Sequence, residues 1–190
     1  MQRGFKSWCE NIAIQQRANV GLKAVDPLDP WLVVKSKGIL VHAADEIPGL
    51  DEQSLEILTV KDRDSWSAVT INGADQVLII FNPSHSKERI HSDLMHELSH
   101  IIIGHKAARM DVSEDNMMLL STYDKEQEDE ANWLAGCLLL PREAIVHIHR
   151  MRISFDDVKT LYGVSKQMYD YRVRMTGVDR QLRRAFSRTR

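Results

Sequence analysis

The apolar residues near the start of the chain recur roughly every three or four positions, which is the spacing of one face of a helix. This spacing predicts an amphipathic helix from Phe5 to about Val20, followed by a breaker stretch that contains two prolines. A second, short helix is predicted at residues 31–36, because Asp29 and Pro30 suit its N-cap and first turn.

The pattern then changes to short runs rich in β-branched and aliphatic residues, which predict strands. The connection after the third of these runs begins with Asn72 and Gly73, and an Asn-Gly pair between two such runs is a strong signal for a β-hairpin. The predicted strands lie at residues 38–47, 54–60, 67–71 and 76–82.

A helical period returns after Pro83. One long helix is predicted here, with Ser84 or Ser86 as its N-cap and Gly104 as its end. Residues 106–124 are polar and contain several methionines, so a loop is predicted for them.

A second buried helix is predicted at residues 125–140, because an apolar run follows a group of acidic residues and stops at Pro141. The rest of the chain is predicted to be helical, with breaks at Gly163 and Gly177. Strands that precede helices in this way indicate an α+β fold, in which a small sheet packs on helices.

The composition is that of an ordinary globular protein. A chain of 190 residues with 43% hydrophobic and 27% charged residues can bury one sizeable core. We therefore expect a main domain at residues 1–150 and a helical C-terminal extension at residues 151–190, packed on the same domain. Cys9 and Cys137 are far apart in the sequence, and we expect two reduced thiols, with Cys137 in the core.

The net charge of −2 hides an asymmetry along the chain. Seven arginines and one acid between Tyr171 and Arg190 give this segment a charge of +6, which leaves −8 on the other residues. An anion-binding surface is therefore expected at the C-terminus. No apolar run approaches the ~18 residues that span a bilayer, and the first residues contain no apolar signal core, so we expect a cytoplasmic protein without membrane contact.

The strongest chemical signal is an HExxH motif, HELSH, at residues 96–100. Four residues correspond to about 400° of helix rotation, so the imidazoles of His96 and His100 project from one face and can reach one metal ion. Glu97 can then serve as general base toward a water molecule that zinc activates. A coincidental triplet on an exposed helix is the alternative, but the isoleucines at 101–103 make this helix apolar almost all round.

A catalytic zinc needs a third protein ligand and an open position. His105 lies about 140° from the face of His100, so we interpret it as a helix-end residue rather than a ligand. The acidic first turn of the next helix is the better source, although acids in that position often only complement the helix dipole. These acids are Glu126, Glu128, Asp129 and Glu130.

Two motifs in this order resemble those of the ImmA/IrrE family of zinc metallo-endopeptidases. In that family HExxH is followed about thirty residues later by ExxANxFA and LLMP. Here the second motif reads EDEANWLA from residue 128 and LLLP from residue 138, and the resemblance covers roughly residues 38–145. Leucines replace the usual Phe and Met, and Ser99 replaces a common Gly, but no proposed ligand is affected.

The resemblance implies a zincin-like fold with one catalytic zinc ion held by His96, His100 and Glu128. It also places Asn132 one helical turn after Glu128, where the amide can orient a ligating histidine. Glu130 is the alternative third ligand. Two histidines and one carboxylate also suit Mn²⁺, which is the alternative metal.

The resemblance further implies a cytoplasmic regulatory protease of bacterial or phage-related origin. Members of the family typically cleave a helix-turn-helix repressor encoded beside them, which relieves repression of a mobile element or a stress response, and we expect such a repressor as the substrate. Tyr123, His147 and His149 are candidate oxyanion stabilisers by position alone. The strand at 76–82 is a candidate edge for pairing with an extended substrate, and an ordinary core strand is the alternative.

Residues 155–168 read as a helix, a Gly turn and a Ser-capped helix, the order found in helix-turn-helix motifs, and a basic tail follows. The alternative function is therefore a non-catalytic or degenerate metallopeptidase-fold protein that acts as an antitoxin-like or DNA-associated partner. Similar segments recur at the ends of ImmA-like proteins, where they complete the fold or dock a partner. Direct DNA recognition is for this reason not the favoured interpretation.

Overall fold

A computed structural model of the chain describes residues 1–73, 76–105, 109–112, 118–121, 124–179 and 181. Its elements confirm the predicted α+β class. The described helices are α1 (Phe5–Asn19), α2 (Pro30–Ser36), α3 (Glu52–Glu56), α4 (Lys87–Ile103), α5 (Lys125–Leu139), α6 (Arg142–Met151), α7 (Phe155–Tyr162) and α8 (Lys166–Thr176). The described strands are β1 (Leu40–Ala43), β2 (Ala68–Asn72), β3 (Val77–Phe81), β4 (Arg109–Val112) and β5 (Met118–Ser121).

The larger sheet has three strands in the order β1, β3, β2. Strands β2 and β3 are antiparallel, with Asn72 opposite Val77, which confirms the predicted hairpin. Strand β1 pairs with β3 in parallel, so β3 is the central strand and its Ile79 is fully buried. The prediction that residues 76–82 offer a free edge to a substrate is therefore wrong, because both edges of β3 are already hydrogen-bonded.

Two predictions of secondary structure fail. Residues 54–60 were expected to form a strand, but they lie in α3 and in the π-helical turn Ile57–Lys61. The side chain of Asp51 caps α3 by accepting the amide hydrogen of Ser54 at 2.9 Å. Val60 is 66% exposed, so its β-branched side chain does not pack against a sheet. The predicted loop at 106–124 contains β4 and β5, which pair antiparallel.

Helices α4 and α5 pack against each other at the centre of the molecule. Helix α4 begins at its N-cap Ser86, whose hydroxyl oxygen accepts the amide hydrogen of Arg89 at 3.3 Å. It ends at Gly104, which has a left-handed φ of 79°, as the sequence predicts. Fully buried apolar side chains of the two helices include Leu94, Met95, Leu98, Leu134 and Leu138.

Two buried arginines hold the C-terminal end of α5. The last carbonyl groups of a helix have no partner within it, and Pro141 does not permit the helix to continue. The guanidinium groups of Arg17 and Arg172 supply the missing donors, and Arg172 also binds the carboxylate of Glu10 at 2.6 Å. The acceptors are the carbonyl oxygens of Leu138 at 2.9 Å and Leu139 at 3.3 Å for Arg17, and that of Leu140 at 2.9 Å for Arg172.

Helices α7 and α8 follow one another across a tight turn at Gly163, which has a φ of 61°. A Cβ atom at this position would lie 2.4 Å from Nδ1 of His91 in α4, so glycine is required for the turn to approach α4. The same buried cluster that contains α4 and α5 also contains Val158, Tyr162, Val164 and Val178. The domain boundary at residue 150 stays a prediction, and residues 182–190 of the basic tail lie outside the described residues.

The remaining two observations concern the cysteines and the length of the apolar helices. Cys9 and Cys137 are buried free thiols, and both belong to the core cluster. Within the described part of the chain, no helix combines the length and the apolar character needed to cross a membrane.

Candidate metal centre

Three of the predicted site residues come together between α4 and α5. One ligand atom from each of His96, His100 and Glu128 lies within 4.8 Å of the other two. The Nε2 atoms of the histidines are 3.0 Å apart, and the two carboxylate oxygens of Glu128 lie 3.2 Å from His96 Nε2 and 3.4 Å from His100 Nε2. The packing of α4 against α5 accounts for this meeting, since one turn of α4 faces one turn of α5.

The spacing of these donor atoms fits a small divalent ion. Ligands bound at the Zn–N and Zn–O lengths of about 2.0–2.1 Å, at tetrahedral angles, lie roughly 3.3–3.4 Å from one another. The separation of 3.0 Å between the two nitrogens is close to that value, and the Glu128 carboxylate faces both histidines, with Oε2 at 3.2 Å from His96 and Oε1 at 3.4 Å from His100. Two imidazoles and one carboxylate are also the donor set of catalytic zinc sites that leave one position open.

The protonation of His100 agrees with a ligand role. Burial is the largest cause, and the neighbouring His96 and His105 add to it, in lowering the pKa of His100 to about 4. The imidazole is therefore neutral at physiological pH, and a nitrogen lone pair is available for a metal ion.

Each histidine has a different partner at its second nitrogen. Asn132 Oδ1 lies 3.1 Å from His96 Nδ1, so the amide that the sequence placed near a ligating histidine contacts His96. His100 Nδ1 instead faces Nδ1 of His105 at 3.0 Å, and His105 Nε2 lies 3.4 Å from Glu130 Oε2. Glu130, the alternative third ligand, is thus turned toward His105 and is not a member of the three-residue cluster.

Glu97 lies beside the cluster and faces the sheet. Its Oε2 accepts a hydrogen bond from the Thr70 hydroxyl on β2. Burial raises the pKa of Glu97, while the hydrogen bond from Thr70 and the charge of His96 act in the opposite direction. Thr70 was not predicted, because its meeting with Glu97 depends on how β2 lies against α4, and the sequence contains no local signal for that arrangement.

Two of the three oxyanion candidates lie among the described residues, and neither makes a hydrogen bond to the cluster. Tyr123 lies outside the described residues. His147 lies on α6 and makes no hydrogen bond to the cluster among the described contacts, while Nδ1 of His149 faces Asp179 at 3.4 Å. Neither His147 nor His149 acquires a role from the described geometry.

A cavity of about 970 Å³ lies along the first half of α4, between that helix and α8. Its walls include Ser92 and Asp93, which precede His96 and Glu97 by one helical turn, and Tyr171 and Arg174 of α8. The cavity therefore begins about one turn before the cluster along α4, on the side where the helix begins, and the three cluster residues are not part of its lining.

Comparison with known proteins gives a family and a fold. A solved structure described as a Mycobacterium tuberculosis transcriptional regulator is similar at a TM-score of 0.52 and 18% identity. The match covers 87% of this chain and 46% of that chain, so the present chain spans about half the length of that protein. No match is found among curated proteins.

The family comparison agrees with the two motifs. The model of the IrrE N-terminal-like domain, peptidase family M78, matches residues 52–174, which include both the HExxH helix and the ExxAN helix. This match covers nearly two thirds of the chain and confirms the resemblance derived from the motifs. The chain belongs to the family of IrrE N-terminal-like domains, the M78 peptidases.

Proposed function

We propose that the chain is a zinc-dependent endopeptidase, with His96, His100 and Glu128 as metal ligands and Glu97 as general base. The observation that carries the proposal is the convergence of one ligand atom each from His96, His100 and Glu128 within 4.8 Å of one another, next to the half-buried carboxylate of Glu97, which the Thr70 hydroxyl contacts. A bound divalent ion supplies Lewis acidity, which polarises a peptide carbonyl and lowers the pKa of a water molecule.

The chain's own residues handle the proton. Glu97 accepts a proton from the attacking water and then delivers it to the amine nitrogen of the leaving peptide. Because Oε2 of Glu97 is occupied by the Thr70 hydroxyl, Oε1 is the oxygen that remains for the water. The burial that raises the pKa of Glu97 makes it a stronger base than an exposed carboxylate. Asn132 holds the ring of His96 through Nδ1.

The substrate binds in extended form along β2. Strand β2 is at the edge of the described sheet, with β3 on one side only, so its other edge can pair with a further strand. Thr70 is on this strand and contacts Glu97, so a peptide paired with β2 passes close to the general base. Beyond the cluster the peptide reaches the cavity between α4 and α8, where polar side chains such as Ser92, Asp93 and Arg174 receive it.

The substrate class that the family resemblance suggests is a helix-turn-helix repressor of a mobile element or a stress response, cleaved in the cytoplasm. The similar solved protein is described as a transcriptional regulator, and its likeness to this chain concerns the fold alone. A repressor encoded next to this chain is accordingly the substrate to assay first.

A second candidate function is a non-catalytic, DNA-associated or antitoxin-like partner, and the succession of α7, Gly163 and α8 favours it. Other contacts favour the peptidase. Arg172 of α8 is 1% exposed and binds α5, and Lys166 pairs with Asp170 on the same helix, so two of its cations are already engaged. Residues of α8, among them Met168, Tyr171 and Arg174, also form a wall of the cavity along α4.

The deciding experiment uses purified full-length chain loaded with one equivalent of Zn²⁺. A mixture of quenched fluorescent peptides and the purified neighbouring repressor serve as substrates. We expect wild type to cleave both, and Glu97→Gln to lose on the order of 10³-fold or more in kcat/KM while it retains zinc stoichiometry and thermal stability. Glu52→Gln, at an exposed position of α3 outside the cluster and the cavity, is the matched control.

Two outcomes would contradict the peptidase proposal. Zinc-loaded wild type that cleaves neither substrate would remove it, and so would Glu97→Gln with unchanged cleavage. If the zinc-loaded protein instead binds the repressor or its operator without cleavage, and truncation after Gly177 removes this binding, the second candidate takes its place.

A further inference from the structure

We propose that His105, backed by Glu130, is a positioning residue that holds the imidazole of His100 with Nε2 toward Glu128, and so sets how tightly the cluster binds its divalent ion. The inference rests on the proposed metal site, and it assigns a role to two residues that are outside the ligand set.

The three side chains form a continuous chain of contacts. His100 Nδ1 and His105 Nδ1 are 3.0 Å apart, and the ring centroids are 4.9 Å apart at an interplanar angle of 67°. On the far side of the ring, His105 Nε2 faces Glu130 Oε2 at 3.4 Å. The side chains of His105 and Glu130 are only 6% and 16% exposed, so water competes little for these contacts.

The positions of the protons along the contacts from His100 through His105 to Glu130 follow from which ring nitrogens can donate and which can accept. For His100 Nε2 to offer its lone pair to an ion, the proton of the neutral ring must be on Nδ1. This proton is donated to His105 Nδ1, which must then be the acceptor, so His105 carries its own proton on Nε2. That proton points to the carboxylate of Glu130, which accepts it. Glu130 thereby selects the tautomer of His105, and His105 selects that of His100.

The turn at the end of α4 brings His105 back to this position. If the helix continued, a residue five positions after His100 would lie about 140° away from it. Gly104 instead adopts a left-handed conformation, and the amides of Gly104 and His105 both donate to the carbonyl oxygen of His100 at 3.0 Å. The backbone that carries His105 is thus fixed to the residue that its side chain orients.

The two histidines of the cluster are consequently held in unequal ways. His96 receives one direct contact from the amide oxygen of Asn132 at 3.1 Å. His100 is held by a ring that itself depends on a carboxylate, so removal of Glu130 acts on the metal site through His105. A merely structural pair would stabilise the fold and leave the affinity of the folded protein for metal unchanged.

The test measures the Zn²⁺ affinity of the metal-free full-length protein, by competition with a chromophoric chelator. His105→Phe keeps a ring but removes both nitrogens, and Glu130→Met removes the acceptor. We expect each to weaken Zn²⁺ binding by roughly 10–100-fold. Glu130→Gln keeps an acceptor oxygen and should retain most of the affinity, and Asp129→Asn, an exposed neighbour on α5, should bind as wild type does.

Two more readouts separate positioning from stability. The double variant His105→Phe/Glu130→Met should bind no more weakly than His105→Phe alone, because both changes break the same chain of contacts. The absorption spectrum of Co²⁺ bound in place of zinc should change in both single variants, since the geometry around the ion changes. Thermal unfolding of the metal-free variants shows whether each variant is folded at the temperature at which its Zn²⁺ affinity is measured.

Failure of this inference is distinguishable from failure of the proposed metal site. If wild type binds Zn²⁺ in a way that depends on Glu128, and His105→Phe and Glu130→Met bind equally tightly, the positioning role is refuted and the site remains. If wild type binds no Zn²⁺, the metal site itself is refuted together with the inference. If His105→Phe alone is unstable, the comparison of Glu130→Met with Glu130→Gln decides.

Discussion

The two ends of helix α5 both place polar groups inside the protein, but they satisfy these groups differently. At the C-terminal end, carbonyl oxygens that the helix leaves without donors accept hydrogen bonds from the buried Arg17 and Arg172. At the N-terminal end, Glu128 meets His96 and His100 with three acceptor or lone-pair atoms within 4.8 Å of one another. The carbonyl oxygens at the C-terminal end thus have donors within the protein. The ligand atoms at the N-terminal end instead surround a point that suits a cation.

This difference separates a structural polar cluster from a ligand site. Burial of a polar group costs free energy unless a partner is present. At the arginine end, the partner belongs to the chain, and burial still leaves Arg17 charged at neutral pH, since its pKa is lowered only to about 10. At the metal end, burial lowers the pKa of His100 to about 4, so the protein itself removes the proton that would oppose a metal ion.

The largest expected effect comes from removing the carboxylate at the metal end. Glu128→Ala should weaken Zn²⁺ binding by roughly 4 kcal/mol, on the order of a thousandfold, if the binding free energy of a structural zinc is shared among three or four ligands. Chelator competition measures the change. Asp129→Ala is the control, because Asp129 is exposed on the same turn. If Glu128→Ala retains stoichiometric zinc with unchanged affinity, Glu128 is not a metal ligand, and the N-terminal end of α5 is not a ligand site.

At the opposite end of α5, removal of one guanidinium should cost stability without affecting metal. Arg172→Met leaves the carbonyl of Leu140 buried without its donor and breaks the contact with Glu10, so we expect a loss of about 3 kcal/mol in the free energy of unfolding. Urea unfolding checks this. Arg174→Met, exposed two residues further along α8, should change stability by less than about 0.5 kcal/mol. If the two variants have equal free energies of unfolding, the buried guanidinium of Arg172 does not stabilise the C-terminal end of α5.

A smaller effect is expected at Thr70, which contacts the proposed general base Glu97 rather than a proposed ligand. Thr70→Val removes the hydroxyl that contacts Glu97, so the carboxylate loses its fixed orientation. We expect kcat on a cleaved peptide to fall by about tenfold, with KM and zinc content nearly unchanged, because misplacement of a reacting group mainly affects the transition state. Thr70→Ser keeps the hydroxyl and should recover most of the rate. A KM effect alone would assign Thr70 to substrate binding.

The smallest effect is expected at His91, a third type of buried polar group. Its Nδ1 has no hydrogen-bond partner among the described residues and faces Gly163, and burial is the main cause that lowers the pKa of His91. As the pH falls, His91 is therefore protonated in the unfolded chain before it is protonated in the folded protein. The contribution of His91 to the free energy of unfolding is complete above the unfolded pKa of about 6.5 and is lost as the pH falls below it.

Unfolding of metal-free protein between pH 8 and pH 5 measures this contribution. The free energy of unfolding should decrease toward pH 5 in wild type and decrease less in His91→Leu. His42→Leu, which removes a more exposed histidine, should follow wild type. If wild type and His91→Leu change in parallel with pH, the unpartnered nitrogen of His91 does not contribute to stability.

Local patterns predicted those elements whose contacts lie within a few residues. The capped helix with HExxH, the Asn-Gly hairpin and the stop of α5 at Pro141 depend on short-range sterics and hydrogen bonds. The strand expected at 54–60 was wrong, because β-branched residues favour a strand only where a sheet surface can receive them. The sequence left open whether β3 is an edge strand or an ordinary core strand, since β1 reaches it across more than thirty residues.

The sequence by itself determined which residues are the proposed ligands and how they are spaced. His96 and His100 share a face because helical rotation is a local property, and family resemblance points to Glu128 as the proposed third ligand. The tertiary structure decided the contacts that join separate elements. Thr70 reaches Glu97 only through the packing of β2 on α4, and His105 reaches His100 only because Gly104 turns the chain back. Such meetings depend on packing between distant segments, and no periodicity within either segment contains that information.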